Sequence, residues 1–223
     1  MRILLVVATV FEVAGFIAFS KSQTRHSFKV LVTGPGMVKT TWALTDLLAG
    51  GDESFDLAIN AGIAGSFDPG LVNGTVVEVV QDVFADFGAE DGTTFLEAST
   101  IGLSKPDEFP FSSGRLNSNH SFQPLLMNYP PVTGITVNTV SGHDDTIERR
   151  LSIFGAQTES MEGAAFFYCC LQKRISCLQI RAISNPVEKR NKENWNIPLA
   201  VNNLNAELIK IAGMLPAISG YCF

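Results

Sequence analysis

Glu162 ends the segment Glu159–Ser160–Met161–Glu162, where a strand-like pattern gives way to a helical one. A carboxylate at that junction is favoured by the positive end of the helix dipole. It can accept hydrogen bonds from two vicinal hydroxyls at once, the pair that a sugar ring presents. Glu12 and Asn185 each follow an apolar run as well, at the exit of a strand. Two carboxylates and an amide, distant in sequence, could converge at one edge. Each residue also has a plainer reading: an acidic residue in a first helical turn for Glu162, a solvated helix start for Glu12, and a turn former before Pro186 for Asn185. Taken singly, the plainer reading of Glu162 is the commoner one.

The elements that would gather them alternate. Residues 2–8 read as a strand, followed by a turn at Thr9–Val10 and an apolar helix to about Ser20. Residues 29–33 repeat the strand, Gly34–Pro35–Gly36 breaks it, and 38–48 form an amphipathic helix. A third strand at 56–61 ends in a glycine turn over 62–65. Strands at 74–83, 132–140, 156–160 and 177–183, with helices at 146–154, at 162–172 and from Pro198, complete the pattern. Residues 86–128 are polar and rich in Gly and Ser, and are expected to be loops, some shaping the mouth of a site. Such alternation implies an α/β fold with a mainly parallel sheet covered on both faces and a ligand site beyond the carboxyl ends of the strands. That edge receives Glu12, Glu162 and Asn185 together. The turns GPGMV and GIAG fit neither a dinucleotide fingerprint nor a phosphate loop, which disfavours a dehydrogenase. Their glycines permit close approach of backbone to a ligand or helix, or simply tight turns.

Bulk properties narrow the class. A chain of 223 residues suits one domain spanning 1–223. Composition of 46% hydrophobic and 17% charged residues argues for many fully buried strands and against disorder. A net charge of -6 leaves no cationic surface for a nucleic acid backbone or an anionic membrane. Cys169, Cys170, Cys177 and Cys222 lack metal-ligand spacing and read as reduced thiols of a cytoplasmic protein, with no metal expected. The apolar run 3–19 is interrupted by Glu12, whose carboxylate would cost about 2.5–3.5 kcal/mol at mid-membrane. A strand, a loop exposing Glu12 and a helix is the preferred reading.

Residues 1–13, the turn 60–65, the segment ESMEGAA from Glu159 and RAISN from Arg181 occur in the order and spacing of the nucleoside phosphorylase and nucleosidase superfamily. The chain resembles that superfamily over nearly its whole length. Within it, RAISNPVEKRNKENWNIPLA from Arg181 resembles the futalosine hydrolase family of menaquinone biosynthesis, with the methylthioadenosine/S-adenosylhomocysteine nucleosidases as near relatives. The resemblance implies a single-domain three-layer αβα sandwich with a mixed, mainly parallel sheet, a homodimer or larger homo-oligomer, and no cofactor.

Residue by residue, the resemblance implies that Glu12 activates an attacking water and that Met161 and Glu162 pack under the sugar and bind its 2′ and 3′ hydroxyls. Gly62 and Ile63 join Ser160 in the substrate-binding set, and Ser160 replaces a glutamate of the methylthioadenosine enzymes. Asn185 replaces an aspartate that protonates N7 in adenine-specific relatives. An amide cannot act as a general acid, but it can donate to a carbonyl oxygen or N7 and accept from a ring N–H, which suits a 6-oxopurine such as hypoxanthine. Trp195 falls where an aromatic lines the pocket, or serves as a core or interface residue. Arg181 is expected to orient Asn185 or to pair with an acidic neighbour. A base-stacking aromatic of the relatives aligns near Asp145. Superfamily phosphorylases carry arginine and serine where this chain has Asn60 and Ile63, so water is the expected nucleophile rather than phosphate. A phosphorylase, a methylthioadenosine-type nucleosidase and a catalytically silent nucleoside-binding module are the alternatives. The 5′ benzoate of futalosine would seek a cation or amide donor, and Arg115, Arg149, Arg190, Lys105 and His143 are all open to that role.

Overall fold

The computed structural model describes residues 1–50, 54–122 and 125–216; Cys222 lies outside them. In chain order the elements are β1 (Arg2–Val7), α1 (Val10–Ser22), β2 (Ser27–Val32), α2 (Met37–Ala49), β3 (Leu57–Ser66) and β4 (Val76–Asp82). They continue with β5 (Gly88–Asp91), β6 (Thr94–Glu97), β7 (Leu116–Asn117), β8 (Pro131–Thr136), α3 (Asp144–Phe154) and β9 (Thr158–Ser160). The chain then forms α4 (Gly163–Gln172), β10 (Cys177–Pro186) and α5 (Ile197–Met214).

The period of two along the central strands divides their side chains between two cores. Ile3, Leu5 and Val7 of β1 join Leu57 and Ile59 of β3, Ile180 of β10 and the inner faces of α1 and α5. Leu4 and Val6 face the other way, with Ala58 and Cys177, onto Leu44 of α2 and Phe166 and Phe167 of α4. A strand buried on both faces explains why these runs read as continuously apolar.

The main sheet runs β10-β4-β8-β9-β3-β1-β2, and β3 also pairs with β10. Strands β3, β9, β8, β4 and β10 therefore close on themselves, while β1 and β2 extend from β3 as a parallel flap. Pairings β1–β2, β1–β3, β3–β10, β4–β8 and β8–β9 are parallel, whereas β4–β10, β3–β9 and β4–β7 are antiparallel. Among the described residues, no helix is long and apolar enough to cross a membrane.

Several sequence readings change here. Residues 62–65 are not a turn but the second half of β3, because Gly62–Ser66 pair with β10 and Gly65–Ser66 with β9. Asn185 is likewise inside β10, after a bulge between Ile183 and Asn185, rather than in a turn beyond Ile183. Residues 86–128 are not all loop: β5 and β6 make a hairpin, and β7 pairs with β4. Helix α3 begins at Asp144, two residues before the expected start, and β8 ends at Thr136, short of residue 140.

Candidate active site

Glu12 is buried, not exposed in a loop. Helix α1 starts at once after β1, with Thr9 as its N-cap, so Glu12 falls at the third helical position, where a glutamate reaches back to the cap. Its Oε2 accepts from Thr9 N–H at 3.0 Å and from Thr9 Oγ1 at 2.9 Å. Its Oε1 accepts from Ile63 N–H at 3.2 Å. The extension of β3 past Ala61 brings that last donor to the site. A Cβ on Gly62 would lie 3.0 Å from Glu12 Oε1 and overlap Arg181 Nη1, so the glycine lets both charged groups close over β3.

Glu162 is the N-cap of α4, yet its side chain turns away from its own helix. The first α4 amides are satisfied by others: Ala164 N–H by Thr136 Oγ1 at 2.7 Å, Gly163 N–H by Ser160 Oγ at 3.4 Å. Glu162 Oε1 instead accepts from Gly36 N–H at 3.0 Å, and Oε2 faces Arg181 Nη1 at 3.6 Å. Gly36 holds φ at 98°, a conformation open to glycine, and so presents its amide at the start of α2. Met161, half-buried, separates Ser160 from Glu162.

Arg181, 1% exposed, sits at the floor. Nε donates to Gln179 Oε1 at 2.8 Å, Nη2 donates to Asn60 Oδ1, and Nη1 faces Glu162. These donors are directed to the floor of the site and not to Asn185. Gln179 Nε2 continues the chain to Asp82 Oδ2 at 3.0 Å, and Asp82 Oδ1 accepts from Thr136 Oγ1 and Val83 N–H. Burial pushes the Asp82 carboxyl up to about 6, against the lowering effect of the Gln179 and Thr136 hydrogen bonds. Sequence reading missed Asp82 and Gln179. Two signals pointed to them: Gln179 and Arg181 are polar at i and i+2 inside the apolar strand CLQIRAI, and Gly163 is glycine because a Cβ there would overlap Asp82 and Gln179.

Asn185 marks the other end. Ser184 Oγ donates to its Oδ1 at 2.8 Å, and its Nδ2 donates to Pro186 O at 2.8 Å, which fixes the orientation of the amide. Asn185 lines a cavity of about 180 Å³ with Gly65, Glu159, Val187, Arg190 and Trp195. The Arg190 guanidinium lies 4.9 Å over the Trp195 ring. Glu159, which carried no role in the sequence reading, accepts from Ser141 N–H at 2.8 Å, Ser141 Oγ at 2.6 Å and Arg150 Nη1 at 2.9 Å. Trp195 also borders an adjoining cleft of about 660 Å³ that is edged by Asp68, Glu188 and Glu193. Asp145 is exposed at the start of α3 and supplies no stacking surface. Among the described residues, no group of His, Cys, Asp and Glu side chains is arranged to hold a metal ion.

The arrangement therefore has one carboxylate held by three donors, a second beside a buried guanidinium, and an amide in a neighbouring cavity. It can accept a proton at one point, bind hydroxyls at another and hydrogen-bond a heterocycle at a third.

A model of the phosphorylase superfamily matches residues 5–218. A futalosine hydrolase of Thermus thermophilus is 31% identical over 183 residues, covering 79% of this chain and 77% of its own. A futalosine hydrolase of Streptomyces coelicolor is 29% identical over 171 residues, covering 72% and 67%. The solved futalosine hydrolase of Helicobacter pylori superposes with a TM-score of 0.80 at 16% identity, over 96% of this chain and 98% of that one. An S-adenosylhomocysteine nucleosidase from Streptococcus pyogenes gives 0.81 at 17%, over 97% and 98%; at such identities both structures speak for the fold alone. With the matched span reaching nearly end to end, the chain belongs to the phosphorylase superfamily, in its futalosine hydrolase family.

Proposed function

We propose that the chain hydrolyses the N-glycosidic bond of futalosine, releasing hypoxanthine and dehypoxanthine futalosine in menaquinone biosynthesis. The observation that carries water as nucleophile is the commitment of the donors around Gly62. Arg181 is bound to Gln179, Asn60 and Glu162, and Ile63 N–H to Glu12. An incoming phosphate would meet the Glu12 carboxylate and a guanidinium already engaged; water would meet an acceptor for its proton. The futalosine hydrolases of T. thermophilus and S. coelicolor support the substrate.

In this mechanism the C1′–N9 bond lengthens first and its electron pair passes to the purine, leaving oxocarbenium character on the ribose. Water adds to C1′ and gives its proton to Glu12. Glu162 anchors the 2′ and 3′ hydroxyls, Met161 packs under the sugar, and Asn185 hydrogen-bonds the base as negative charge develops on it. Hypoxanthine leaves neutral after taking a proton from solvent.

The benzoate of the 5′ extension calls for a cation beside an apolar plate. Arg115 pairs with Glu97 at 3.1 Å, Arg149 with Glu90 at 3.4 Å, and His143 faces Asp145 at 3.8 Å. Arg190 lies instead against Trp195, whose ring borders both the cavity of Asn185, left to the base, and the larger adjoining cleft, and is the cation we assign to the 5′ extension. In phosphate-free buffer, hypoxanthine is expected from futalosine, less from inosine, and no adenine from methylthioadenosine. Release that requires added phosphate would identify a phosphorylase, and adenine release a methylthioadenosine-type nucleosidase. In the same assay Arg190→Met is expected to raise KM for futalosine about tenfold, the loss of one charge-assisted contact, and to leave inosine unchanged. Equal effects on the two substrates would remove Arg190 from the benzoate site.

We also propose a homodimer. On α2, Val38 is 75% and Trp42 71% exposed, and with Met37 and Phe84 they line one apolar hollow, a surface suited to burial against another chain. The expected mass in solution is that of two chains, and a fully active single chain would overturn this.

A further inference from the structure

Helix α1 is broken beside Glu12, and the break is filled from α5. In an α-helix the Phe16 N–H would donate to the Glu12 carbonyl. Here it donates to Asn205 Oδ1 at 2.7 Å, while Asn205 Nδ2 donates to the Glu12 carbonyl at 2.9 Å and to Val201 O at 2.7 Å. The amide side chain is thus set into the hydrogen-bond ladder of another helix, a recognised cause of kinks. Val13, within the gap, has φ −132° and ψ 20°, outside helical values. Gly15 makes room for the insertion, since a Cβ there would lie 3.2 Å from Asn205 Oδ1.

The consequence falls on Glu12. The turn that carries it is uncoupled from the rest of α1 and aimed by Asn205, and in that direction its carboxylate meets Thr9 and Ile63. Helix α5 is also tied to the opposite end of the site: Asn196 N–H, at its N-cap, donates to Ser184 O at 2.7 Å, and Ser184 Oγ donates to Asn185. One helix therefore holds both Glu12 and Asn185.

We infer that Asn205 is a positioning residue for the reaction, setting where the Glu12 carboxylate stands relative to C1′. This rests on the reading of Glu12 as the group that activates water. Asn205→Leu keeps the branched shape and heavy-atom count with a somewhat larger volume, removes both polar groups, and frees the Phe16 N–H and the Glu12 carbonyl to bond each other, straightening α1. It is expected to lower kcat about a hundredfold, the effect of displacing a reacting group by about 1 Å, with KM within about threefold. Asn205→Asp keeps the acceptor for Phe16 but loses both donors, and should fall between Leu and the parent. If Asn205→Leu does not fold, Gly15→Ala, which crowds the amide without removing it, replaces it with the same expected direction.

The decisive measurement is the double variant with Glu12→Gln. If Asn205 acts through Glu12, Asn205→Leu lowers kcat little further in that background. An equal loss of kcat in both backgrounds, or Asn205→Leu and Asn205→Asp at parental kcat beside an impaired Glu12→Gln, would overturn the inference. Glu12→Gln at parental turnover would instead overturn the reading of Glu12 itself.

Discussion

Glu12→Gln is expected to cut turnover by about 10²–10⁴, the usual contribution of a positioned general base, while KM changes little. An amide cannot take the proton of the attacking water, but the geometry that holds the side chain is largely preserved. Gln Oε1 can replace the carboxylate oxygen that accepts from Ile63 N–H, and Nε2 can donate to Thr9 Oγ1. What is lost is an acceptor for the Thr9 N–H, and one unsatisfied buried donor costs about 1–3 kcal/mol of stability. The variant should therefore melt somewhat earlier and still bind substrate. Equilibrium binding of futalosine and single-turnover rates, measured on the folded variant, separate the two effects. Turnover close to that of the parent would exclude Glu12 as the base.

How far this site was legible in the sequence follows from which contacts are local. Glu12 follows a strand of alternating core residues and lies three residues after a threonine cap, so its place at the strand exit could be read directly. Its burial could not, because the amide that covers it belongs to Ile63, beyond the residues read as the end of a strand. Gly62 and Gly65 look like turn formers. They are small because Arg181, Glu12, Val187 and Asn185 crowd against β3, and that crowding depends on β3 pairing with β10 across more than a hundred residues. The chain from Asp82 through Gln179 to Arg181 was hidden for the same reason: whether a buried polar residue has a partner depends on strand register. Asn205 was hidden more deeply. An asparagine in a C-terminal helix reads as a polar-face residue, and only the packing of α5 against α1 turns it into a member of another helix's backbone.

Asn185→Asp is expected to reverse the preference between bases, because the present environment specifies both ends of the amide. Ser184 Oγ donates to Oδ1, so that atom must remain an acceptor. Nδ2 lies 2.8 Å from Pro186 O, so an aspartate oxygen in its place would face a carbonyl lone pair unless it carried a proton. The site thus favours the protonated carboxyl, whose single proton reaches N7 as the base departs once the group turns from Pro186 O, a step an amide cannot perform in any orientation. A 6-aminopurine that leaves poorly from the parent gains a general acid. A 6-oxopurine loses the amide N–H that hydrogen-bonds it. The ratio of kcat/KM for methylthioadenosine to that for futalosine is expected to rise by about 10²–10⁴, within the range reached when a buried hydrogen-bonding site is rebuilt for another ligand. The gain should also be pH-dependent. It requires the protonated carboxyl, so it is present at low pH and lost as pH rises through the pKa of the introduced aspartate, whereas the parent has no such step. An unchanged base preference with futalosine turnover intact would show that Asn185 does not read the base. Selectivity would then be sought at Glu159, a further polar side chain of that cavity, held in place by Arg150 and Ser141.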